Sequence, residues 1–120
     1  MSRVDLAAEA AELTEFWSQR VVARANGALF KVAKGIGSTH WHAHDDQDET
    51  FLVLEGRVTI QLRDGDVELG PGQLYVVPRG IEHCPVAEQE ARFLLVGPEI
   101  TSTAAGGKPE WSRDGGAPPA

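Results

Sequence analysis

The sequence predicts an all-β barrel or sandwich preceded by one short helix. Three observations carry this. From Arg20 onward the apolar residues fall in short runs rich in Val, Ile, Leu, Phe and Thr. Turn residues punctuate those runs densely, at Asn26-Gly27, Glu55-Gly56, Asp64-Gly65, Gly70-Pro71-Gly72 and Pro78-Arg79-Gly80. No stretch between them has a helical period, which excludes a parallel α/β arrangement.

The elements follow in order. Leu6, Ala10, Leu13 and Trp17 recur at spacings of three and four and form one apolar stripe. This predicts a helical segment over residues 1–18, with Asp5 as its cap. Asn26-Gly27 is a strong type I′ hairpin signal, because both central positions need positive φ. It predicts paired strands over Arg20 to Ala25 and Ala28 to Ala33. Further strands are expected at Thr39 to His44, Thr50 to Glu55, Arg57 to Leu62, Val67 to Leu69, Gln73 to Val77, His83 to Ala87 and Ala91 to Val96. The barrel is thus expected over residues 19–100. Residues 101–120 are rich in Gly, Pro, Ser and Ala and read as a flexible tail, with Trp111 the one residue suited to docking.

A chain of 120 residues suits one hydrophobic core. Its net charge of -7 argues against nucleic acid or an anionic membrane as the main partner, since both need a field of Lys and Arg. The single cysteine, Cys84, excludes an internal disulfide and any zinc site built on several cysteines. The amino-terminal stretch lacks the apolar core of a secretory signal, so a cytoplasmic protein is expected.

The chemistry concentrates in His40-Trp41-His42-Ala43-His44, followed by Asp45-Asp46-Gln47-Asp48 and Glu49. Residues two apart on a strand share a face, so His42 and His44 project together, and His40 with them. Glu49, at the start of the next strand, can return to the same side. His83, after Pro78-Arg79-Gly80, is a third imidazole candidate. Three imidazoles and one carboxylate suit one divalent transition metal: iron, manganese, zinc or nickel first, with cobalt and copper also compatible. Four ligands leave one or two positions open on an octahedral ion, as catalysis requires.

These residues and spacings resemble the cupin superfamily. His42, His44, Glu49 and Gly56 match its first motif; Gly72, Pro78, Gly80 and His83 match its second. The likeness extends to Val53-Leu54-Glu55-Gly56, Val76-Val77-Pro78 and Pro85-Val86-Ala87, and is greatest to small single-domain bacterial cupins with an RmlC-like barrel. Two positions depart from the pattern: the motif's opening glycine falls at Ile36, between Gly35 and Gly37, and its closing asparagine falls at Ala87. Neither is a ligand position. The resemblance implies a double-stranded β-helix (a jelly-roll barrel), a metal held by His42, His44, Glu49 and His83, a small-molecule substrate or ligand, and a homodimer formed through sheet edges.

Around that site, His40 reads as a hydrogen-bonding neighbour or a solvated strand residue. Phe51 and Val53 share the face of Glu49 and are expected to wall the pocket. Cys84 should point away from the metal and stay inert. Tyr75 is a candidate proton donor, with core packing the equal alternative. Arg57, Arg79 and the run Asp45, Asp46 and Asp48 read as solvated. The function expected is a metal-dependent enzyme on a small molecule, dioxygenase-like first and isomerase-like second. The alternative is a non-catalytic metal-dependent binding or sensor module.

Overall fold

Asn26 and Gly27 take positive φ of 51° and 79° and fold strand β1 (Arg20–Ala25) onto β2 (Ala28–Ser38). The hairpin is therefore the one its two-residue turn requires. The computed structural model describes residues 3–101. Trp111 and the rest of the expected tail lie outside the described residues. After β2 come β3 (Glu49–Glu55), β4 (Val58–Leu62), β5 (Gly65–Leu69), β6 (Leu74–Val77) and β7 (His83–Gly97).

All strand pairs are antiparallel. The central path runs β1-β2-β7-β3-β6, and β4 joins β7 to β5. The long strand β7 makes closure possible. Its first residues, His83 to Val86, pair with β4, and its last, Arg92 to Val96, pair with β3. Inward-facing positions supply the core: Phe51, Val53, Val58, Ile60, Phe93 and Leu95 are all buried. Each such side chain contributes about 1.5–3 kcal/mol on leaving water. No helix among the described residues is long and apolar enough to cross a membrane.

Three expected elements come out differently. The helix α1 is confined to Leu6–Ala11, capped by the Asp5 carboxylate, which accepts from the Ala8 N–H at 3.1 Å. Trp17 belongs to no helix; its φ is 64°. Its N–H donates to the Lys34 carbonyl at 2.7 Å and its indole N–H to the Ile36 carbonyl at 3.1 Å. The ring lies over Gly35, where a Cβ would sit 2.6 Å from it, and its centroid is 5.8 Å from that of Phe93. Trp17 therefore closes the core for a tertiary reason, and its helical spacing was coincidental.

The two strands expected over residues 83–96 are one, and β2 runs on to Ser38. The register slips between Gly35 and Gly37, where the β7 partners jump from Ala91 to Ala87. Glu88, Gln89 and Glu90 bulge into solvent there, and Gly37 absorbs the irregularity with φ 75°. The position flanked by Gly35 and Gly37 is thus a bulge within a continuous ladder.

The strand expected over Thr39 to His44 is only an isolated bridge, His42 with His83. Those two residues exchange N–H···O bonds of 3.0 and 2.9 Å. Two positions along, the next exchange would need an N–H from Pro85, which has none. The Pro85 carbonyl accepts from the Thr39 N–H at 3.1 Å, and the ladder stops.

Candidate metal centre

The break at Pro85 shapes the site. Between Thr39, opposite Pro85, and the His42–His83 bridge, the chain turns so that the His40 carbonyl accepts from His42 Nδ1 at 2.7 Å. On β7, His83 Nδ1 donates to the Ile81 carbonyl at 2.9 Å. Both rings therefore carry their proton on Nδ1 and present the lone pair of Nε2 inward. The loop after His44 is pinned as well. The Gly80 N–H donates to the His44 carbonyl and the Arg79 N–H to the Asp48 carboxylate, each at 2.8 Å. These bonds bring His44 and Glu49 to the mouth of β3.

The result is one cluster. His42, His44, Glu49 and His83 each offer a ligand atom, and those atoms lie within 4.8 Å of one another. His44, Glu49 and His83 are buried, and His42 is partly so. Glu49 Oε1 stands 3.4 Å from His83 Nε2 and 3.5 Å from His44 Nε2. The buried His44 Nε2 has no hydrogen-bond partner among the described residues. Lone pairs of His42 and His83 thus converge with a carboxylate and an orphaned nitrogen, and such a meeting needs positive charge at its centre. The donor set and its geometry fit a divalent transition ion.

The electrostatics agree. Burial alone pushes the Glu49 carboxyl up, but His44, His83 and Thr101 outweigh it and hold the group well below the usual carboxylate range. The His42 imidazole is pushed down to about 4, first by burial, then by the charges of His83 and His44, against opposing pulls from its bond to His40 and from Glu49. The unfolded imidazole titrates near 6.5, so the unfolded chain binds the extra proton between about pH 6.5 and 4. Stability of the metal-free protein should therefore fall as pH drops through that window. A His42→Gln variant should show a flatter melting temperature between pH 6.5 and 4.5. Equal slopes in the two proteins would contradict this placement of His42.

The other expected residues divide. The His40 side chain is exposed, its ring centroid 5.1 Å from that of His42, and it serves the cluster through its carbonyl. The Phe51 ring is buried edge-on to His83, with centroids 6.3 Å apart. Val53 lies deeper in the core. Tyr75 pairs with Phe51 across β6 and β3 and packs, partly buried, against the core. Cys84 is buried on the other side of β7, its Sγ 3.5 Å from the Ser38 hydroxyl. Arg79 pairs with Asp48 at 3.5 Å, both largely exposed. Trp41 stacks under the Arg63 guanidinium, 3.8 Å from the ring centroid.

Sequence reading missed four polar residues around the cluster. Thr101, the first residue of the expected tail, is 4% exposed and donates its hydroxyl proton to Glu49 Oε2. Gln19 holds Thr101 through two bonds of 2.8 Å. Lys31, fully buried, donates to the Glu99 carbonyl. Gln47 is buried over Gly97, its amide oxygen 3.0 Å from where a Cβ would stand. For Lys31 a signal existed: alternation from Leu29 to Ala33 points it inward. Gln19 and Thr101 are 82 residues apart, and no pattern links them.

Comparison with known proteins agrees with this geometry. The cupin domain family matches residues 28–97, which carry all four cluster residues. An uncharacterized protein of Bacillus subtilis is 31% identical over 80 residues, 66% of this chain and 71% of that protein. A cupin-2 domain protein of Shewanella frigidimarina has a solved structure that superposes with a TM-score of 0.75 at 36% identity, covering 78% of this chain and 91% of that one. A solved protein of Neisseria meningitidis superposes with a TM-score of 0.73 at 26% identity, covering 80% and 98%. Family match, strand topology and the placement of His42, His44, Glu49 and His83 converge: the chain belongs to the cupin superfamily and folds as its double-stranded β-helix.

Proposed function

We propose that this cupin is a metal-dependent enzyme acting on a small molecule, with oxygen-dependent, dioxygenase-like chemistry. The observation that carries the reading is the convergence of three imidazoles and one carboxylate within 4.8 Å, with two ring tautomers fixed and one buried nitrogen orphaned. His42, His44, Glu49 and His83 would hold one divalent transition ion, iron or manganese by preference. When bound, such an ion supplies a Lewis-acidic, redox-capable centre with open positions.

The chain's own residues set the rest. The His40 and Ile81 carbonyls orient two of the rings. Phe51 places an apolar edge beside His83 and supports a largely dry wall. Glu49 would be committed to the ion through one oxygen and is held by Thr101 at the other, so it is a poor general base. That favours oxygen-dependent chemistry over the proton shuttling of an isomerase. The same reading includes a homodimer: among the described residues β6 pairs only with β3, and its Leu74 and Val76 are 59% and 42% exposed.

The test is an oxygen-uptake screen of protein loaded with Fe(II) or Mn(II), against a panel of small hydroxylated and keto compounds. Metal-dependent uptake that disappears in Glu49→Ala is expected. Ligands that stabilise the loaded protein without any product would instead make it a binding module.

A further inference from the structure

The two oxygens of Glu49 have different neighbours. Oε1 faces His83 and His44, while Oε2 accepts from the Thr101 hydroxyl. The direction of that last bond is determined. Gln19 Oε1 accepts from the Thr101 backbone N–H at 2.8 Å, which turns the Gln19 amide nitrogen toward the Thr101 hydroxyl, also at 2.8 Å. The hydroxyl oxygen is then an acceptor, and its one proton goes to Glu49. The Lys31 ammonium donates to the Glu99 carbonyl and secures the same segment as it leaves β7. Thr101 is thus held at its backbone and at its side chain, in a buried place.

We propose that Thr101 is a positioning residue for the candidate metal centre, aligned by Gln19, which engages Glu49 Oε2 so that the carboxylate offers Oε1 alone to the ion. The inference rests on the reading that the four-residue cluster holds a metal. Without the hydroxyl, Glu49 is free to rotate and to present both oxygens. Ligand partners of this kind change metal affinity by roughly 10–100-fold.

The experiment is a Co(II) titration of the full chain, stripped of metal and free of any His tag, with affinity from chelator competition and coordination from visible absorption. Wild type, Thr101→Val, Thr101→Ser and Gln19→Leu are compared, with melting of each metal-free protein as the folding control. Thr101→Val should bind Co(II) about 10–100-fold more weakly and with an altered visible spectrum, because Glu49 loses its fixed orientation. Thr101→Ser restores the hydroxyl and should restore both affinity and spectrum. Gln19→Leu should be weakened in the same direction. Wild-type affinity and spectrum in Thr101→Val would overturn the proposal. Equal weakening in the Val and Ser variants would overturn it too, because the methyl and not the hydroxyl would then matter. A wild-type protein that takes up no Co(II) would remove the metal reading itself, a distinct outcome that removes this inference with it.

Discussion

Glu49→Gln should cost this protein its metal while leaving the barrel folded. The substitution keeps the side chain's shape and removes its charge at the point where three imidazoles converge. A direct ligand is at stake, so the loss should reach or exceed the roughly 100-fold upper range for outer partners. The effect can be read as lost stabilisation. At a metal concentration about 100 times the dissociation constant, binding stabilises the fold by about 2.7 kcal/mol; a 100-fold weaker site retains only about 0.4 kcal/mol. Melting with and without metal measures both. Acid titration adds an independent check. The Glu49 carboxyl titrates below its ordinary range in the folded protein, so the stability it contributes is present above about pH 4.3 and is lost as pH falls. Glu49→Gln should remove that part of the acid sensitivity. A variant that keeps wild-type metal-induced stabilisation would refute the role of Glu49.

Phe51→Ala should be the most damaging core substitution that also reaches the site. Phe51 is 2% exposed, its ring centroid 6.1 Å from that of Phe93 and 6.3 Å from that of His83. Truncating a buried Phe costs about 3–5 kcal/mol, from lost transfer energy plus the cavity left behind. For a barrel of this size that is on the order of 10 °C or more in melting temperature. His83 also loses the edge contact beside it, so metal affinity should fall along with stability. Phe51→Leu, which keeps most of the volume, should cost under about 1.5 kcal/mol. Denaturant unfolding of the two variants separates cavity from chemistry. A loss below about 1 kcal/mol in Phe51→Ala would mean that Phe51 does not seal the core.

What the sequence disclosed depended on whether a residue acts through its own position or through a distant partner. The Asn26-Gly27 turn, the alternation of β3 and the histidine–glutamate spacing are local rules, and they were legible. The four cluster residues could be named because two motifs fix them. The route by which His42 and His44 meet was not legible. It is a loop that leaves the ladder after Thr39 and returns only at the His42–His83 bridge, with the His40 carbonyl orienting His42. Trp17 imitated a helical stripe while packing over Gly35 for a tertiary reason. Thr101 and Gln19 left no trace, because a single hydrogen-bonded pair carries no period and the surrounding composition reads as a tail.

The most direct measurement is elemental analysis of the tag-free protein, purified without chelators, beside its Glu49→Gln variant. The expected result is close to one equivalent of a divalent transition metal per wild-type chain and almost none in the variant. A wild-type protein that carries no metal and takes none up on titration would contradict the central claim that His42, His44, Glu49 and His83 form a metal centre.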